Sequence, residues 1–140
     1  MTTNDRNGTT RDRTRLGLPK LARLRGRAEY LRVFRNGAKH RSAELALYAC
    51  PNSFGRNRIG VSVGRKHGKA VIRNRTRRRI KEAFRLENLR LPQGFDFVCV
   101  PQEKGPLEMP IAELRAQFLR LAEAVGRKAL QPRPRRKRPC

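Results

Sequence analysis

Apolar positions recur along this chain with two different periods, and the places where the period changes mark out its elements. Over residues 70–87, Ile72, Thr76, Ile80, Ala83 and Phe84 are spaced four, four, three and one apart, which puts them on one side of a helix. A second stripe, Ile111, Leu114, Phe118, Leu121 and Val125, predicts a helix over 110–128 with Pro110 in its first turn. A shorter helix is expected over 28–36, where Tyr30, Val33 and Phe34 share an arc and Gly37 marks the stop. Three segments have strand character: 43–50 before Pro51-Asn52, 58–63 after Gly55-Arg56-Asn57, and 95–100 after Pro92-Gln93-Gly94.

The strands also predict two unlike faces. Ile59, Val61 and Val63 point one way, and Arg58, Gly60 and Ser62 the other; Leu45 and Leu47 oppose Ala46 and Tyr48. One face is apolar enough to pack helices. The other is small and polar with an aromatic, an open platform on which an extended ligand can lie, or else an ordinary solvated face.

Charge narrows the choice of partner. The formal net charge is +24, and such self-repulsion disfavours an isolated compact state, so the chain is expected to work neutralised in a complex. Nucleic acid is the leading partner and an acidic membrane surface the competitor. No apolar run has the roughly 18 residues of a membrane span. The polar N-terminus lacks the apolar core of a signal peptide, which points to a cytoplasmic protein. One domain is expected over 16–130, between a disordered polar extension, 1–15, and a basic, Pro-rich, extended tail, 131–140. Cys50 and Cys99 read as buried small hydrophobes; with Cys140 they fit no metal-binding spacing.

The charge is concentrated where helical periodicity is clearest. Residues 65–85 hold ten Lys or Arg against one Glu. Arg73, Asn74, Arg77, Arg78, Lys81 and Arg85 spread over the face opposite the apolar stripe, so a folded helix presents a rigid array of guanidinium groups suited to phosphate oxygens. A catalytic constellation is missing. The acids are scattered, with no close pair for a two-metal site. Glu82 is expected to pair with Lys81, Arg78 or Arg85, and Asp96 stands alone between two phenylalanines. His40 and His67 are formally an acid–base pair for RNA cleavage, but phosphate contact or plain exposure explains them better. Gly64 and Gly68 flank a basic turn without the spacing of a nucleotide-binding loop.

The run Val61-Ser62-Val63-Gly64-Arg65-Lys66, followed by Gly68, Ala70-Val71, Arg73-Asn74-Arg75, Arg77-Arg78 and Glu82-Ala83-Phe84-Arg85, resembles the protein component of bacterial ribonuclease P. Upstream, Arg23-Leu24, Glu29-Tyr30, Val33-Phe34 and Gly37 are similar to that family's first helix, and the resemblance covers roughly residues 20–125. It implies an α/β two-layer fold: a small mixed sheet with helices on one face, like the second domain of a small-subunit ribosomal protein, with a left-handed βαβ crossover. It also implies a role as the accessory subunit of the ribonucleoprotein that removes the 5′ leader of precursor tRNA. The RNA subunit is the catalyst there and requires Mg²⁺; the protein binds no cofactor itself and contributes no catalytic residue. By the same resemblance, Arg65, Lys66, Lys69, Arg73, Asn74, Arg75, Arg77, Arg78 and Arg79 bind the RNA subunit. Tyr30, Phe34, Ala46 and Tyr48 take the single-stranded leader, with stacking on aromatics as the means. Tyr30 stands where the family usually has Phe, Gly64-Arg65 replaces a common Ser-Lys, Arg77 a common Lys, and Pro101-Gln102 a frequent basic position. On the residues alone, the alternatives are a ribosomal or other RNA-scaffold protein and, behind it, a DNA-binding protein. No helix-turn-helix is evident, and the Arg-rich helix is too broadly charged for base-edge reading.

Overall fold

A computed structural model describes residues 20–102 and 105–131 of the chain. The expectations for the two tails and Cys140 fall outside these residues, apart from Gln131. The elements are α1 (Gly26–Asn36), β1 (Ala38–Arg41), β2 (Leu45–Pro51), β3 (Arg58–Val61), α2 (Ala70–Glu87), β4 (Phe95–Pro101), the single turn α3 (Gly105–Glu108) and α4 (Ile111–Leu130). Short 3-10 turns precede α1 and α2 and follow α2.

The four strands form one sheet in the order β1-β2-β4-β3. β1 pairs with β2 and β2 with β4 antiparallel, whereas β3 runs parallel to β4. A parallel pair needs a long connection, and α2 supplies it. Strand β1 was not expected from the sequence. Its Ala-Lys-His-Arg has no apolar alternation, because it lies at the sheet edge with all but its first residue exposed. Backbone pairing to β2, in the register Lys39 to Tyr48 and Arg41 to Ala46, makes it a strand.

Alternate strand residues feed two separate cores. Leu45, Leu47, Ala49, Ile59, Val61, Phe95, Phe97 and Cys99 face α2 and α4, which contribute Ile80, Phe84, Leu114, Phe118 and Val125. Phe84 and Phe118 meet edge to face at 6.3 Å. The expected stripe of α4 is buried except at Ile111, which is exposed, and Pro110 is the residue before the helix rather than part of its first turn. In α2, Thr76, Ile80, Ala83 and Phe84 are buried, and the Thr76 hydroxyl donates to the Ile72 carbonyl at 3.0 Å.

The second core lies on the opposite face. There α1 packs Val33 against Cys50 and Val98, with Leu24 beside them. The expectation of helices on one face therefore holds for α2 and α4; the short α1 covers part of the other face. Glycine allows that approach. A Cβ at Gly37 would lie 2.6 Å from the carbonyl oxygens of Ala49 and Val33. Gly37 does end α1, but in an extended conformation (φ −88°), so the helix end needs the missing side chain rather than a left-handed backbone.

Candidate nucleic-acid interface

The buried side of α2 fixes what its other side can present. Ile80, Ala83 and Phe84 lock the helix against the sheet and α4, so the polar residues between them point outward on a rigid support. Asn74, Arg75 and Arg78 are exposed, as are Arg65, Lys66 and Lys69 in the turn leading into the helix. Arg73 and Arg77 are half-buried. The Nε of Arg73 donates to the Gly68 carbonyl at 3.2 Å, and the Nη1 of Arg77 donates to Asn74 Oδ1 at 2.7 Å, so both stems are pre-oriented. No acidic residue occurs from Arg65 to Lys81 to neutralise this surface. Its field is felt at Lys81, whose pKa is lowered by burial and by the cations of Arg23 and Arg77.

Arg79 departs from the expected set. Its Nε donates to the Pro106 carbonyl at 2.9 Å and its Nη2 to the Met109 carbonyl, so the guanidinium ties α2 to the segment ahead of α4. Arg85 is held by Glu82 through bonds of 3.0 and 2.7 Å, which raise its pKa; of the expected partners of Glu82, this is the one found. Glu87 is buried between Arg90 at 3.4 Å and Arg115 at 2.6 Å.

The open part of the other sheet face forms the second surface. Phe34 and Tyr48 meet at right angles with centroids 4.8 Å apart, and the Lys39 ammonium lies 5.5 Å from the Tyr48 centroid. Tyr30 lies over β3. A Cβ at Gly60 would come 2.6 Å from its ring, so the glycine is the seat of the tyrosine. Tyr30, Phe34, Tyr48 and Val100 are all partly exposed around the small second core. Ala46, expected among them, lies on this face opposite Val100 but is only 2% exposed; it is floor beneath its neighbours. The result is a shallow cleft with an aromatic wall on α1 and a floor of strand residues.

Two sequence expectations need correction. His67 is buried, at 5%, in the turn between β3 and α2, so it is neither plainly exposed nor a surface phosphate contact. His40 lies on β1, at the sheet edge opposite β3, whereas His67 sits in the turn that follows β3, so the fold puts the two imidazoles at opposite ends of the sheet rather than together. Nor does Asp96 stand alone. It is fully buried and accepts two bonds from Arg58, one from Asn52 at 2.8 Å and one from Arg32 on α1. Sequence offered no signal for this cluster, because its members are 38, 44 and 64 residues from Asp96.

A hollow of about 610 Å³ opens on the other flank of α1, lined by Glu29, Arg32, Phe54 and Arg58 among others. It is no second phosphate site, since Asp96 engages both arginines and Glu29 lies 3.2 Å from Arg58. Among the described residues, no three His, Cys, Asp or Glu side chains come together to hold a metal, and no helix is long and apolar enough to cross a membrane.

A mixed sheet backed by a helix whose approach and first three turns carry no acid, with an aromatic cleft on the far face, defines an RNA-binding α/β protein. Comparison with known proteins makes this specific. The Ribonuclease P family model matches residues 18–126. The ribonuclease P protein component of Caldanaerobacter subterraneus subsp. tengcongensis is 41% identical over 106 residues, covering 76% of this chain and 84% of that protein. That of Natranaerobius thermophilus is 31% identical over 106 residues, 76% of this chain and 91% of that protein. The solved RNase P protein from Thermotoga maritima superposes with a TM-score of 0.68 at 31% identity, covering 74% of this chain and 96% of that one. The chain belongs to the ribonuclease P protein family, as a subunit of the endoribonuclease that processes tRNA 5′ ends. It works with RNase P RNA.

Proposed function

We propose that the chain binds RNase P RNA through the outer side of α2 and holds the 5′ leader of precursor tRNA in the cleft beside α1, in the cytoplasm. The observation that carries this reading is the separation of two unlike surfaces by one sheet. Arg65, Lys66, Lys69, Arg73, Asn74, Arg75, Arg77 and Arg78 form a dense cationic surface suited to structured RNA phosphates. Tyr30, Phe34 and Tyr48 offer ring faces suited to unpaired bases, which stack with little sequence preference at roughly 1–3 kcal/mol each. Arg79 is left out of the RNA-facing set because its guanidinium serves α3 and the link from it to α4.

In this reading the protein contributes binding and placement, and the phosphodiester chemistry belongs to the RNA with its Mg²⁺. Three of the described carboxylates, Glu82, Glu87 and Asp96, are each engaged by arginine, which supports leaving the metal to the RNA. The basic surface also screens repulsion between two RNAs, which lowers the Mg²⁺ the ribozyme needs.

Reconstitution tests this directly. The purified chain is combined with a bacterial RNase P RNA and 5′-labelled precursor tRNA at a Mg²⁺ level where the RNA alone is slow. Cleavage at the mature 5′ end only when both are present is the expected result. Tight RNA binding with no stimulation would leave a scaffold role, and cleavage by the protein alone would contradict the division of labour.

A further inference from the structure

The proposed functions leave unused the exposed cations of β1. Both stand on the cleft side of the sheet. Lys39 is opposite Tyr48, and Arg41 is opposite Ala46, which is itself opposite Val100. Directly opposed residues share a face, so Lys39 and Arg41 border the same floor as the aromatic pair, while His40, opposite Leu47, stands on the helix side. Both are exposed. Their spacing of two residues along a strand is about 6.8 Å, within the reach of successive phosphates of an extended chain.

The placement of β1 gives this rim a direction. α2 packs beside β3, and β1 is the opposite edge of the sheet. A strand leaving the RNA subunit at α2 and crossing the cleft meets Tyr30 over β3 first, Phe34 and Tyr48 next, and Lys39 and Arg41 last.

Edge strands commonly carry lysine to block unwanted pairing. That protection needs charge anywhere on the edge. It does not require the Lys39 ammonium to lie 5.5 Å from the ring centroid of a cleft aromatic. The edge is moreover partly closed already, because the Lys128 ammonium from α4 donates to the Lys39 carbonyl at 2.7 Å.

We propose that Lys39 and Arg41 extend the leader site, taking the phosphates of leader nucleotides beyond those stacked on Phe34 and Tyr48. The proposal rests on the leader reading above. Its occupant is the distal part of a single-stranded RNA leader, recognised by phosphate charge without base selection.

The experiment measures binding of holoenzymes, reconstituted with the K39A/R41A, K39R/R41K or Tyr48→Ala chain, to precursor tRNAs whose leaders are shortened one nucleotide at a time, and to mature tRNA. For K39A/R41A, affinity should fall about ten-fold for long leaders, and the deficit should fade as the leader shortens and vanish for mature tRNA. The salt slope for the long leader should drop by about 1.4, at roughly 0.7 per single-strand phosphate neutralised. K39R/R41K should bind as the parent does. A loss equal for every leader length and for mature tRNA would overturn the proposal, as would no loss at all. Tyr48→Ala separates the two readings. If it weakens leader-bearing precursors while K39A/R41A does not, the leader cleft stands and its extension falls. If Tyr48→Ala has no leader-dependent effect, the cleft reading itself fails.

Discussion

Asp96 and Arg58 meet as a closed, two-bonded pair: the arginine Nε donates to Oδ1 and its Nη2 to Oδ2, both at 2.8 Å. The carboxylate is fully buried and the guanidinium stem nearly so, at 11%. Arg32 reaches the same carboxylate from α1, so one anion holds a helix and two strands together. Removing the carboxylate takes the shared counter-ion from both arginines, and the nearly buried Arg58 loses both bonds of its closed pair. Asp96→Asn is expected to destabilise the fold by about 3–5 kcal/mol, the usual cost of breaking a buried pair. Urea unfolding checks it: the midpoint falls while the slope stays unchanged.

The same cluster gives stability a dependence on acid. Burial opposes the charge of Asp96, but hydrogen bonds from Arg58, Asn52 and Arg32 outweigh it, so its pKa lies below the ordinary value. A carboxyl with a depressed folded pKa contributes stability that is fully present above its unfolded pKa, about 3.9. That contribution is lost as pH falls through the lower, folded value. Thermal melts should therefore show no pH dependence from this group between neutrality and about pH 5, then a decline below it that is absent in Asp96→Asn.

Charge reversal at Arg73 and Arg78 should weaken binding to RNase P RNA and flatten its salt dependence by about 0.9 for each phosphate left unneutralised. Arg79→Met should behave differently. It frees the Pro106 and Met109 carbonyls, lowering Tm while leaving the salt slope in place. Filter binding over a salt series, with melts alongside, distinguishes the two sets. A Tm shift without a change of slope for Arg73 and Arg78 would remove α2 from the interface.

Phe34→Ala and Tyr48→Ala should each raise the Kd of a leader-bearing precursor by five-fold to a hundred-fold or so, the equivalent of about 1–3 kcal/mol. Mature tRNA should be unaffected. Tyr48→Phe should retain affinity, since the ring is kept. Loss of affinity for both RNAs alike would mean that the aromatics serve the core alone.

Gly60→Ala tests the seat of Tyr30. An added Cβ would lie 2.6 Å from the tip of the Tyr30 ring, which must then swing away from β3. Overpacking of this kind costs about 1–3 kcal/mol. The expected outcome is a lowered Tm together with weaker leader binding. Recovery of Tm on a second change, Tyr30→Ala, would confirm that the clash is the cause.

Much of this was legible in the residues. The 3.6-residue spacing of Thr76, Ile80, Ala83 and Phe84 located both the buried side of α2 and the outer side that carries its cations. Alternation in β3 and β2 separated Ile59 and Leu47 from Gly60 and Tyr48. What stayed hidden depended on long-range partners. β1 has no pattern of its own and exists through β2. Asp96 reads as an isolated acid until folding brings Arg58, Asn52 and Arg32 around it. Arg79 is indistinguishable in sequence from Arg78, yet one more residue along the helix turns it toward carbonyls 27 and 30 residues away.

β4 is a partition one residue thick. Phe95, Phe97 and Cys99 belong to one side of it and Val98 to the other. Inserting or deleting a single residue there would exchange the sides, moving apolar groups out of both cores together. Homologous chains should therefore keep the length of residues 95–101 invariant.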